Sequence, residues 1–126
     1  MNSSDYIREI KSILSTIKEV EFGYLFGSFV SNAVFAHSDI DIAIYVKDGF
    51  DNFDVGLHVH HKLETALNKS IDLIILNDTK NYRLLKDIIY QGILVKDSEN
   101  RPVFEVQKQH EIIDFFNFKQ MIDAAT

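Results

Sequence analysis

The stretch DIDIAIYV, residues 39–46, alternates without a break: Asp39, Asp41, Ala43 and Tyr45 share one face, and Ile40, Ile42, Ile44 and Val46 share the other. A period of two is the pattern of a β-strand. Four branched apolar residues in one row need burial, and a slip of one residue would turn all of them to water, so the pattern pins the register as well. The chain is therefore committed to a sheet covered on its isoleucine face. The other face begins with two carboxylates, about 6 to 7 Å apart along the backbone and able to converge on one point. Held there, like charges repel unless a cation intervenes, and an oxygen-only ligand set with open positions suits Mg²⁺ or Mn²⁺. By itself a D-x-D also fits a plainer reading, with Asp39 at a strand end and Asp41 solvated at an edge.

What surrounds this strand predicts a layered fold. Ser3 and Ser4 are candidate caps for a helix whose apolar residues recur at helical spacing from Tyr6 to about Val20. FGYLFG (22–27) reads as a strand entering a tight turn, and SFVSNAVFA (28–36) as one or two helical turns. A helix is expected from about Phe53 to Leu67, and a third strand in SIDLIIL (70–76). A further helix over 81–92 leads to a short edge strand at 93–95, and a last helix runs from about Val103 to Ala124 after Pro102. The order predicts an α/β (α+β) fold, a small mixed β-sheet flanked by helices, in one domain over residues 1–126.

Composition removes several classes. The 126 residues carry a net charge of −6, which argues against an extended nucleic-acid surface, since a phosphate-backbone footprint needs a net basic face. No cysteine is present, so disulfides and thiolate metal sites are out. No apolar run reaches the roughly 20 residues of a membrane span, and a soluble, cytoplasmic protein is the expectation.

Two further features bear on the acid pair. Asp72 opens the third strand on the face opposite Ile71, Leu73 and Ile75, so a neighbouring strand would bring it beside Asp39 and Asp41. Upstream, Gly27 allows the backbone to approach a ligand closely, and Ser28 stands where a short helix begins, with free N–H groups suited to a phosphate. An anion site beside a cation site is what a nucleoside triphosphate requires.

Gly27-Ser28, ten residues, then Asp39-x-Asp41, with Asp72 as third carboxylate, resembles the signature of the minimal nucleotidyltransferases of the DNA polymerase β superfamily. The closing RPVFEVQKQHEIIDFFNF is similar to the last helix of the MntA-type antitoxins, which accompany HEPN-domain toxins. The resemblance implies a polymerase β-like fold, two Mg²⁺ ions held by Asp39, Asp41 and Asp72, ATP as substrate, and transfer of AMP to a tyrosine of a cognate HEPN toxin. Members of the family commonly carry an arginine shortly after the Gly-Ser. Here the stretch is Val30-Ser31-Asn32, which leaves Gly27, Ser28, Ser31 and backbone amides to hold the triphosphate.

Two other functions stay open on the residues alone: an antitoxin that blocks its toxin by binding without chemistry, and a transferase acting on a small-molecule hydroxyl, for which the chain lacks a second domain. His58, His60 and His61 on one helix lack further zinc ligands and read as packing or exposed residues, and His37 as a turn residue. Lys47, Lys80, Arg83 and Lys86 read as solvated cations. IIDFFNF (112–118) is too apolar for a narrow stripe, so part of the last helix is expected either in the core or at a partner surface.

Overall fold

The computed structural model describes residues 2–27 and 39–125. Helix α1 spans Ser3–Ser15, strand β1 Val20–Phe26, strand β2 Ile40–Val46, helix α2 Asn52–Leu67, strand β3 Ile71–Ile75, helix α3 Tyr82–Gln91, strand β4 Ile93–Lys96 and helix α4 Arg101–Ala125. Each of the first three helices starts where an Asn or Asp side chain accepts an otherwise unpaired amide. Asn2 takes Asp5 N–H at 3.0 Å and Asp5 returns the bond to Asn2 N–H at 3.1 Å, a reciprocal cap placed one residue before the expected serines. Asp51 and Asn81 do the same for α2 and α3.

The first helix ends earlier than its apolar spacing suggests. Ile17 and Val20 are buried, as the periodicity requires, but Val20 already belongs to β1. Core contact alone does not reveal whether a residue arrives there on a helix or a strand. Gly92 follows α3 in an extended conformation at φ −69°, and a Cβ there would run into the Ile88 carbonyl.

The sheet has the order β3-β2-β1-β4. β1 pairs antiparallel with both β2 and β4, whereas β2 and β3 run parallel, joined through α2. Each face has its own core. Ile40, Ile42, Ile44 and Val46 pack with α1 and α2 through Ile10, Leu14, Val59 and Leu63. On the opposite face Phe22, Tyr24, Phe26 and Ala43 pack with α3 and α4 through Leu85, Ile88, Phe104 and Ile112. The alternation of β2 is thus divided as read: isoleucines to the α1/α2 layer, and Asp41, Ala43 and Tyr45 to the α3/α4 layer.

Phe22 anchors the second layer, with its ring stacked on Tyr45 at 4.9 Å and tilted against Phe104 at 5.2 Å. Phe22→Ala should cost about 3 to 5 kcal/mol, since a fully buried ring leaves a cavity that three strands and a helix cannot close. Phe118→Ser, at a side chain 63% exposed, should leave the urea midpoint near wild type. The last helix is accordingly neither wholly core nor wholly surface. Its first half is anchored by Phe104, Ile112 and the Tyr24 hydroxyl, which donates to Glu105 Oε1 at 2.6 Å. Its second half is exposed apart from Phe115 and Phe116, which are half-buried.

Candidate active site

Parallel pairing of β2 with β3 sets Asp41 directly opposite Asp72. On the other side, antiparallel pairing sets Asp41 opposite Phe26, the last residue of β1, so the chain leaves β1 at Gly27 right beside the carboxylate. Asp39 precedes β2 by one residue and shares the parity of Asp41. The three acids thus gather at one end of the sheet, at the start of two parallel strands. Asp41 is half-buried, whereas Asp39 and Asp72 are exposed.

The Asp41 carboxyl is pushed up to about 6, first by burial, then by the Asp72 charge, by a hydrogen bond between the two carboxyls, and by the Asp39 charge. The upward shift is the cost of crowding these carboxylates at a half-buried position without a positive charge beside them. No lysine, arginine or histidine among the described residues forms an ion pair with any of the three acids.

The sign of the resulting pH dependence follows. An acid whose folded pKa is raised contributes stability below its unfolded pKa, about 4, and that contribution is lost as pH rises through about 6. In chelator, the urea midpoint of Asp41→Asn should exceed that of wild type at pH 8 and gain less on acidification to pH 5. Equal pH profiles for the two proteins would mean that neither burial nor the neighbouring acids raise the Asp41 pKa.

Gly27 adds a steric element to the site. Its φ is +77°, a conformation that side-chain-bearing residues rarely adopt, and a Cβ built there would collide with the Asp41 carboxylate. In the sequence this glycine is expected to let a ligand approach the backbone. In the fold it also makes room for the acid, a contact across two strands that leaves no sign in the local sequence. Ser28, Ser31, His37 and the short helix expected over 28–36 lie outside the described residues.

The donor set fits a hard divalent cation: three carboxylates, with no counter-charge paired to them among the described residues. As the side chains stand, no group of three acidic or imidazole residues among the described residues is spaced to hold an ion. The structure joins Asp41 to Asp72 directly, and Asp39 acts on the pair through its charge.

The other candidates fall elsewhere. His60 Nε2 lies 2.9 Å from the Ile71 carbonyl and 3.3 Å from Glu64, which gives it a packing role between α2 and β3. Arg83 and Lys86 stand over the Phe116 ring, at 5.3 and 5.0 Å from its centroid. No helix among the described residues is long and apolar enough to cross a membrane.

Comparison with known proteins agrees with this geometry. Residues 8–101 match the family described as Polymerase beta, Nucleotidyltransferase. Protein adenylyltransferase MntA of Shewanella oneidensis is 32% identical over 83 residues, which is 66% of this chain and 58% of that protein. A solved structure of tri-AMPylated Shewanella oneidensis HEPN toxin in complex with MNT antitoxin aligns at TM-score 0.71 and 23% identity, covering 98% of this chain and 97% of the matched one. A toxin–antitoxin structure with AMP-PNP aligns at TM-score 0.68 and 24% identity, covering 99% and 94%. At these identities the two solved structures speak for the fold.

Proposed function

The chain belongs to the polymerase β nucleotidyltransferase family, and from that premise we propose that residues 1–126 act as a single-domain, Mg²⁺-dependent adenylyltransferase antitoxin. Its substrates are ATP and a tyrosine hydroxyl on a cognate HEPN-type toxin, in the cytoplasm. The observation that carries the reading is the acid cluster itself: β2–β3 pairing sets Asp41 opposite Asp72 with Asp39 beside them, and no described residue forms an ion pair with any of the three. The relative named protein adenylyltransferase MntA and the toxin–antitoxin complexes with the same fold support the reaction and the partner.

In this mechanism Asp39, Asp41 and Asp72 would hold the divalent cation, and Gly27, with Ser28 and Ser31, would receive the triphosphate. The cation, when bound, lowers the pKa of the attacking hydroxyl and neutralises charge on the phosphates and departing pyrophosphate. Asp72, exposed at the rim, accepts the tyrosine proton. The tyrosine oxygen forms its bond to the α-phosphorus as the bond to the β-phosphate oxygen breaks. Asp41, set deeper, fixes the position of the group it shares with Asp72.

The test is intact mass spectrometry of the partner after incubation with this chain, ATP and Mg²⁺. The expected product is the partner heavier by one or more AMP units, dependent on Mg²⁺ and absent with EDTA. A partner that forms a stable complex, is neutralised, and yet keeps its mass would replace this reading with that of an antitoxin acting by binding alone.

A further inference from the structure

Beyond Ile112, its last buried residue, α4 is exposed apart from the half-buried Phe115 and Phe116. Phe115, Phe118 and Ile122 continue, at helical spacing, the stripe that Phe104 and Ile112 bury in the core. Tyr82 of α3 covers only the start of this continuation, its ring 5.2 Å from Phe115. Phe118, Met121 and Ile122 are 63%, 70% and 48% exposed.

At the edge where cover ends stand Arg83 and Lys86, one turn apart on α3, both over the Phe116 ring. Both are exposed, and neither forms an ion pair among the described residues, although the chain carries 19 acids to 13 lysines and arginines. Even Asp87, one turn after Arg83, makes no ion pair with it. The ring presents the two cations in a fixed place, which lowers the ordering cost of a carboxylate binding there.

We propose that this face, the uncovered half of α4 with Arg83 and Lys86 of α3 at its border, docks an acidic amphipathic helix of the protein partner. Apolar residues of that helix lie on Phe118, Met121 and Ile122, and its carboxylates meet Arg83 and Lys86. Charge complementarity selects this occupant. The two cations are already held beside an apolar stripe, and an amphipathic helix offers an apolar face and flanking carboxylates to match them. A polyanion is a poorer match, because two cations on a chain of net charge −6 give too small a phosphate footprint.

This inference rests on the reading that the chain acts on a protein partner. The experiment titrates the HEPN partner with full-length chains at low and high salt: wild type, Arg83→Glu with Lys86→Glu, Phe118→Ser, and Asp72→Asn. Wild-type affinity should fall with salt. The double charge reversal should lose about 10- to 100-fold in affinity along with most of the salt dependence, and Phe118→Ser should lose about tenfold. Both should melt like wild type and bind Mg·ATP equally well in the absence of partner.

Asp72→Asn should keep the complex and lose transfer, so a failure of the chemistry is distinguishable from a failure of docking. Unchanged affinity in the charge-reversed chain overturns the proposal. So does a wild-type dimer that the substitutions dissolve, which would give the face to a second copy, or competition by a single-stranded oligonucleotide, which would give it to nucleic acid. A wild-type chain that forms no complex overturns this surface and the partner reading together.

Discussion

Replacing Asp41 with Ala should reduce AMP transfer by about a thousandfold or more, while the cation-free protein at neutral pH becomes no less stable. The two halves of this expectation have one cause. Asp41 is the most buried of the three acids and the one whose carboxyl is pushed up to about 6 by burial, by Asp72 and by Asp39. In the proposed mechanism that concentration of charge holds the cation, and losing several kcal/mol of charge stabilisation in the transition state corresponds to about three decades of rate. Without the cation the same charge is a liability, and removing it relieves repulsion. Single-turnover transfer from labelled ATP measures the first half, and urea midpoints in chelator the second. Transfer within about tenfold of wild type would remove Asp41 from the machinery.

Gly27→Ala should lose about a hundredfold in transfer, the scale on which a displacement of about 1 Å at a reacting centre is felt. Two costs coincide at this position. The left-handed backbone, φ +77°, costs an alanine about 1 to 2 kcal/mol, and the new methyl collides with the Asp41 carboxylate, which has to move. Gly49 provides the control. Its φ is +93°, but a Cβ there meets nothing within 4 Å, so Gly49→Ala should show a similar loss of stability and no loss of transfer. If the two variants transfer AMP at the same rate, the contact between Gly27 and Asp41 has no part in the chemistry, and the glycine serves only the turn.

Local pattern made much of this legible. Strict alternation in DIDIAIYV marked β2 and its division into an acid face and an isoleucine face, because a pleated strand allows no other partition. Short Ile-rich runs bounded by turn residues marked β3, and helical spacing marked α2 and α3 to within a residue or two. The ends of α1 were less clear. Ile17 and Val20 satisfy both a continuing helix and the start of a strand, and the cap at Asn2 competes with two serines of equal capping chemistry.

Sequence by itself picked out the candidate residues: Asp41 and Asp72 stand near the starts of two Ile-rich strands, with Asp39 two residues before Asp41, and burial of the apolar face orients them. It could not say that they meet. Whether Asp72 stands beside Asp41 depends on β3 pairing with β2 and not with β4, a choice made by the α2 crossover and by which helix layer covers which face. The fit of Gly27 against Asp41, and the pairing of Arg83 and Lys86 over Phe116, are contacts between distant segments with no local signature. The end of cover on α4 is likewise tertiary: an apolar stripe reads the same whether or not something lies over it, and only the finite width of the sheet and the shortness of α3 decide where the core stops.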